Sequence, residues 1–234
     1  FFSGKEKEYL NNCIDTTYVS SVGNYVDKFE KMLVDYTGSR FAVAVINGTS
    51  ALKIALMLSG VKNGDEVIIP ALTFVADANV VKLCGATPVL ADCTSLDDWN
   101  VSAETIKRCI TSRTKAVIIV HYAGYPCDMQ SIVDLCKSRK LILIEDTAHA
   151  PGASVNGRLC GSWGDFGCFS FFSNKNLSVG EGGMVTTTNE NFYNHLQKLR
   201  SHGMNALTLE RHKGRAITYD VLEPGLNYRM DEIR

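Results

Sequence analysis

The sequence predicts an α/β domain, a three-layer α/β/α arrangement around a mostly parallel mixed sheet. Three observations carry that expectation. Short apolar runs alternate with segments of helical periodicity along most of the chain, no internal repeat appears, and no Pro/Gly/Ser-rich linker divides the 234 residues. A hydrophobic content of 45% is ample for a large core.

Taken in order, residues 41–46 (Phe-Ala-Val-Ala-Val-Ile) read as a buried strand, and 50–58 follow with helical spacing. Residues 66–70 form a second strand ending at Pro70, and 74–84 a helix. Residues 87–91 are a strand and 102–110 a helix. The β-branched run 115–121 is a strand, 129–138 a helix, and 141–146 (Leu-Ile-Leu-Ile-Glu-Asp) a strand that ends in two acids. Short β segments at 165–171 and 183–187 precede a helix at 191–200. In such sheets ligands bind beyond the carboxyl ends of the strands. Gly48, Thr49, Thr73, Phe74, His121 and Asp146 all fall at or just after such ends.

Composition excludes several classes. The net charge of −1, with acids and bases interspersed, recommends neither nucleic acid nor an anionic membrane as partner. The apolar runs are too short to span a bilayer, and no charged-then-apolar leader opens the chain. The eight cysteines are scattered through apolar segments without a CxxC or Cys/His spacing, so the expectation is reduced thiols in a cytoplasmic protein and no metal site.

The residues that carry chemistry lie between and after these strands. Lys175 stands in an apolar, glycine-rich stretch with no other positive charge, a setting that favours its neutral amine. A neutral amine forms a Schiff base with an aldehyde. Asp146, delivered by a buried strand, can keep a pyridine nitrogen protonated or simply cap a helix or turn, while Glu145 should face the opposite side of the strand. Lysine and acid together are the pair that pyridoxal phosphate chemistry requires. Asn47-Gly48-Thr49-Ser50 joins a strand end to a helix start and reads either as a phosphate cradle or as a simple Thr or Ser N-cap. Phe74 fits stacking on a flat ring or plain core. His149 fits a hydrogen bond to a ring phenolate or a structural role. Ser170, five residues before Lys175, offers a second phosphate contact. Gly180-Glu181-Gly182-Gly183 has the look of a nucleotide loop without the strand and helix that such a loop needs.

Assembled in this order, the residues resemble the DegT/DnrJ/EryC1/StrS family of sugar aminotransferases, within the aspartate aminotransferase superfamily. The resemblance runs through Ser20 to Gly23, Asn47-Gly48-Thr49, Pro70 to Phe74, Glu145 to Gly152, Phe169 to Gly183 and Asn227-Tyr228-Arg229-Met230. It implies the large domain of a fold type I pyridoxal 5′-phosphate enzyme over residues 1–234, with an N-terminal helical segment and a small C-terminal domain after Arg234; the start at Phe1 without an initiator Met carries the separate expectation of a few upstream residues. It implies Lys175 as Schiff-base lysine and proton shuttle, Asp146 as pyridine partner, Phe74 as the stacking aromatic, His149 where many members have Gln, and Gly48, Thr49, Ser50 and Ser170 at the phosphate. Asn227 and Arg229 match a segment that reaches the neighbouring subunit's site, implying a homodimer with shared sites. The implied reaction passes an amino group from L-glutamate, through the pyridoxamine form, to a nucleotide-linked 4-keto or 3-keto deoxysugar. The rivals are a relative acting on a cyclitol or amino-benzoate precursor, a pyridoxamine-dependent sugar dehydratase, which Lys175 argues against, and a non-catalytic regulator.

Overall fold

The computed structural model describes residues 4–205 and 218–234. Two helices, α1 (Glu6–Asp15) and α2 (Tyr25–Thr37), lead into β1 (Phe41–Val45). The α/β body continues through α3 (Gly48–Leu58), β2 (Glu66–Pro70), α4 (Ala76–Leu83), β3 (Thr87–Ala91), α5 (Ala103–Cys109) and β4 (Thr114–Val120). It then runs through α6 (Met129–Arg139), β5 (Ile142–Asp146), the small hairpin of β6 (Ser154–Val155) and β7 (Arg158–Leu159), β8 (Phe166–Ser170), β9 (Gly183–Thr187) and α7 (Glu190–Leu199). The sequence expectation meets every strand of the main sheet within about two residues. The β6–β7 hairpin carries no sequence signal, because two-residue strands have no periodicity to read.

The seven-stranded sheet has the order β1-β9-β8-β5-β4-β2-β3. Only β9 is antiparallel to its neighbours; every other pairing is parallel. The sheet is therefore mixed and mostly parallel, and its central strands are buried on both faces, as apolar runs such as Val67-Ile68-Ile69 require.

Strand alternation divides the apolar side chains between two helical layers. Val43, Val45, Val67, Ile69, Ile118, Ile144 and Val185 pack with α3, α4 and α7 on one face. Ile68, Val117, Ile119 and Leu143 pack with α5 and α6 on the other, where α2 also covers Ala42, Ala44 and Met184. Each fully buried Ile or Leu contributes roughly 1.5–3 kcal/mol.

Local chemistry sets the helix ends. Asn47, in extended conformation, accepts from Ser50 N–H at 2.9 Å through Oδ1, so the cap of α3 is Asn47 and neither Thr49 nor Ser50. A reciprocal capping box between Ser102 and Thr105 starts α5. Gly38, at φ 73°, ends α2 in the left-handed region. Among the described residues, no helix is long and apolar enough to cross a membrane.

Candidate active site

The carboxyl ends of β1, β2, β4, β5 and β8 open on one cavity of about 450 Å³, on the α3/α4 side of the sheet. Its floor is Asp146, last residue of β5, paired with Val120 on one side and Cys168 on the other. Asp146 shares the face of Ile144, and Glu145 takes the opposite face, as alternation demands. The Asp146 side chain is bent back into a turn: Oδ1 accepts from Ala148 N–H at 2.9 Å. The next residue, Thr147, donates from both its N–H and its hydroxyl to the carbonyl of Cys168, at 2.8 and 2.7 Å, so the turn is fastened to β8. Burial raises the Asp146 carboxyl above its usual value; the Ala148 amide and electrostatic interactions with His149, Lys175 and His121 oppose that rise.

His149 projects from the same turn and lines the cavity. Its imidazole is lowered by partial burial first and then by the charge of Lys175, against the pull of Asp146. It is therefore predominantly neutral at pH 7 and can donate one hydrogen bond.

The far wall is the amino end of α3. Gly48 and Thr49 line the cavity there, while Ser50 is buried behind them and its N–H is already held by Asn47. Ser170 closes this wall from β8. Gly48 is required by the approach of the two strand ends, since a Cβ there would lie 2.8 Å from Cβ of Ser170. Close packing also explains Gly182 and Gly183 after Lys175. A Cβ on Gly183 would lie 2.4 Å from the carbonyl carbon of Asn47, so glycine here lets β9 start against the Asn47–Gly48 turn. Gly180 has open space around it and is suited instead to its left-handed backbone at φ 88°.

Phe74 lies over the opening, 69% exposed, which excludes the plain-core alternative. Lys175 sits in the turn after β8, its N–H bonded to the Phe172 carbonyl at 2.9 Å, and its side chain lines the cavity. The expected apolar enclosure of Lys175 is not found within the single chain: the lysine is half-buried, and Phe172 and Leu177 beside it are exposed.

Asn227 does not line this cavity; it bridges Ser201 in an isolated antiparallel pair, and Arg229 donates to Ser201 Oγ at 2.9 Å. His121, expected at its strand end, is fully buried and turned away. Its Nδ1 accepts from Cys127 N–H at 3.1 Å, so Nε2 carries the proton and donates to Glu145 Oε2 at 3.1 Å. Tyr122, the next residue, lines the cavity instead, as do Asn174 and Glu181. The strand-end rule points to the right place on β4 and misses by one residue.

A larger recess of about 860 Å³ opens beside β3, between Leu72 and the segment ending at Trp99. None of the predicted site residues lines it, so the smaller cavity, where titratable groups converge, is the candidate site. The eight cysteines are separate thiols, five of them buried, and burial lifts Cys136 and Cys160 to about 12, which disfavours nucleophilic thiolates. Among the described residues, no cluster of His, Cys, Asp or Glu could hold a metal ion.

The DegT/DnrJ/EryC1/StrS aminotransferase family matches residues 2–234. The chain belongs to this family. Relatives in it include GDP-perosamine synthase of Escherichia coli O157:H7, 43% identical over 99% of this chain and 61% of that protein. GDP-perosamine synthase of Caulobacter vibrioides is also 43% identical, over 99% of this chain and 60% of that protein. The chain thus spans about three fifths of the length of these relatives. Among solved structures, an aminotransferase from Psychrobacter cryohalolentis superposes with a TM-score of 0.91 at 34% identity, over all of this chain and 60% of that one. A sugar aminotransferase Spr1654 from Streptococcus pneumoniae, described as putative and solved in its PMP form, gives 0.91 at 28% identity, over 100% and 63%. 3-Amino-5-hydroxybenzoic acid synthase gives 0.92 at 29% identity, over 100% and 59%.

Proposed function

We propose that the chain is the cofactor-binding part of a pyridoxal phosphate-dependent aminotransferase that moves an amino group from L-glutamate to the keto carbon of a GDP-linked deoxysugar. One observation carries the reading: Asp146, Lys175 and the amino end of α3 converge on one cavity. The 43% identity to GDP-perosamine synthases supports the sugar and nucleotide.

The donor set fits the cofactor. The amino end of the 11-residue α3, with Thr49 and Ser170, offers amides, hydroxyls and the positive end of a helix dipole to a phosphate. The glycine at 48 leaves the backbone open to that approach. Pyridoxal phosphate supplies, when bound, an aldehyde that takes amines covalently and a ring that withdraws electrons. Phe74, exposed at the opening, would cover one face of the ring. Asp146, which lines the cavity, would keep the ring nitrogen protonated by ionic attraction. His149 would donate to the ring oxygen. The Lys175 amine would anchor the cofactor and serve as general base and acid at the reacting carbon.

Asn227 and Arg229 would serve the neighbouring site of a homodimer. A small domain beyond Arg234 would complete the sugar pocket, and the enzyme would work in the cytoplasm. The likeness to 3-amino-5-hydroxybenzoic acid synthase keeps a cyclic non-sugar acceptor as the second reading, and the higher identity to the GDP-sugar enzymes disfavours it.

The test is transfer of label from [15N]L-glutamate by the full-length protein, loaded with pyridoxal phosphate, to a GDP-linked 4-keto-6-deoxyhexose. Mass spectrometry of an aminated GDP-sugar, with matching 2-oxoglutarate, is the expected result. Label passing only to a cyclic keto acceptor would transfer the assignment to the second reading.

A further inference from the structure

The proposed chemistry leaves one buried acid unused. Asp77 lies in the first turn of α4, three residues beyond Phe74, and is 0% exposed. Thr73 Oγ1 donates to its Oδ2. Its Oδ1 is buried with no hydrogen-bond partner, one of three such side-chain atoms among the described residues. No described cation pairs with it. The titratable groups around this floor are Asp146 at the end of β5, His149 in the turn after it, Cys168 of β8, His121 and Lys175. Of these, Asp146 is the one whose charge bears on Asp77. A carboxylate with a bare oxygen in a dry floor, next to a second carboxylate, is far costlier than a neutral carboxyl. The dipole at the start of α4 favours an anion too weakly to offset that.

We infer that Asp77 is a positioning residue held as an uncharged carboxyl beneath the cavity, which leaves Asp146 as the sole anion facing the ring nitrogen of the cofactor. Burial first, and the Asp146 charge second, push the Asp77 carboxyl well above the ordinary range, against the Thr73 hydroxyl. Two buried acids so placed titrate as a pair holding one proton, and that proton resides on Asp77 because Asp146 alone has an amide donor and the charge of Lys175 to favour its anion. The role in the ring chemistry rests on the function proposed above; the protonation state does not.

The experiment is an infrared difference spectrum at neutral pH between the full-length protein and its Asp77→Asn variant, each recorded without and with pyridoxal phosphate. The expected result is a carboxylic-acid C=O stretch in the parent that the variant lacks. A difference confined to carboxylate bands overturns the inference. If the variant does not fold, carbon NMR of parent protein labelled in its aspartate carboxyls decides the same question. A protonated carboxyl at neutral pH supports the inference, and the lack of one overturns it.

A second readout separates charge from packing. Asp77→Ala should weaken pyridoxal phosphate affinity by about tenfold, and the neutral isostere Asp77→Asn should restore most of that loss. An Asn variant as weak as the Ala variant shows that the negative charge was needed and overturns the inference. Failure of the parent to bind pyridoxal phosphate would strike the proposed function and leave the infrared result standing.

Discussion

Glu145 and Asp146 are consecutive, both buried, and opposite in use. Glu145 faces the α5/α6 side, where its oxygens accept from Gly161 N–H at 2.8 Å, from Trp163 and Gly164 N–H at 2.7 Å each, and from His121. Four protein donors saturate the carboxylate, so the residue has nothing left for a ligand. Asp146 faces the cavity with an amide donor from Ala148 and a carboxyl that burial raises. The same strand therefore places a saturated structural acid and an acid that faces the cavity one residue apart. Hydrogen-bond saturation, not burial, tells them apart.

Substitutions that separate these roles come first. Glu145→Ala leaves three amide donors and the His121 ring without an acceptor in a closed interior. It should lower stability by about 3–5 kcal/mol, seen in denaturant unfolding. Asp146→Asn keeps an acceptor for Ala148 and removes a costly charge, so the melting temperature should barely change. Transamination should nevertheless fall by about 10²–10³-fold, measured as turnover with L-glutamate. Loss of stability from both substitutions, or of activity alone from both, would break the distinction.

Smaller effects sharpen it from the cavity side. Phe74 is exposed and supports no core, so Phe74→Ala should leave unfolding unchanged and weaken pyridoxal phosphate binding by about 0.5–1.5 kcal/mol, read by equilibrium titration. His149 gives the smallest effect, and its sign follows from its lowered imidazole. The unfolded chain takes up a proton near 6.5, while the folded imidazole stays neutral to lower pH. Acidification through that window therefore favours unfolding. His149→Gln should flatten the fall of melting temperature between pH 7 and the lower folded value, by a small amount because the ring is only partly buried.

Much of this is legible from the residues. The strands can be read because runs such as Val117-Ile118-Ile119 are apolar on both faces, which only a covered parallel sheet explains. Strand alternation gives the opposite faces of Glu145 and Asp146. The cap at Asn47 escapes a reading of residue types because Thr49 and Ser50 are equally good capping residues, and only the extended backbone at Asn47 decides among them. Asp77 escapes it because an acid in the first turn of a helix ordinarily signals a solvated terminus. Here Phe74 and Val75 at the terminus are exposed, while Ala76 and Asp77 in the first turn are buried. The setting of Lys175 departs from expectation for a related reason: its apolar sequence neighbours Phe172 and Leu177 turn outward within the single chain.

The other activity predictions depend on the proposed covalent retention of pyridoxal phosphate on Lys175. The most direct measurement is the absorbance spectrum of the full-length protein with pyridoxal phosphate, before and after L-glutamate, beside Lys175→Ala. The expected result is a bound-cofactor band in the parent that survives dialysis, converts to the pyridoxamine spectrum on adding glutamate, and is missing from Lys175→Ala. An identical band in Lys175→Ala, or none in the parent, would contradict it.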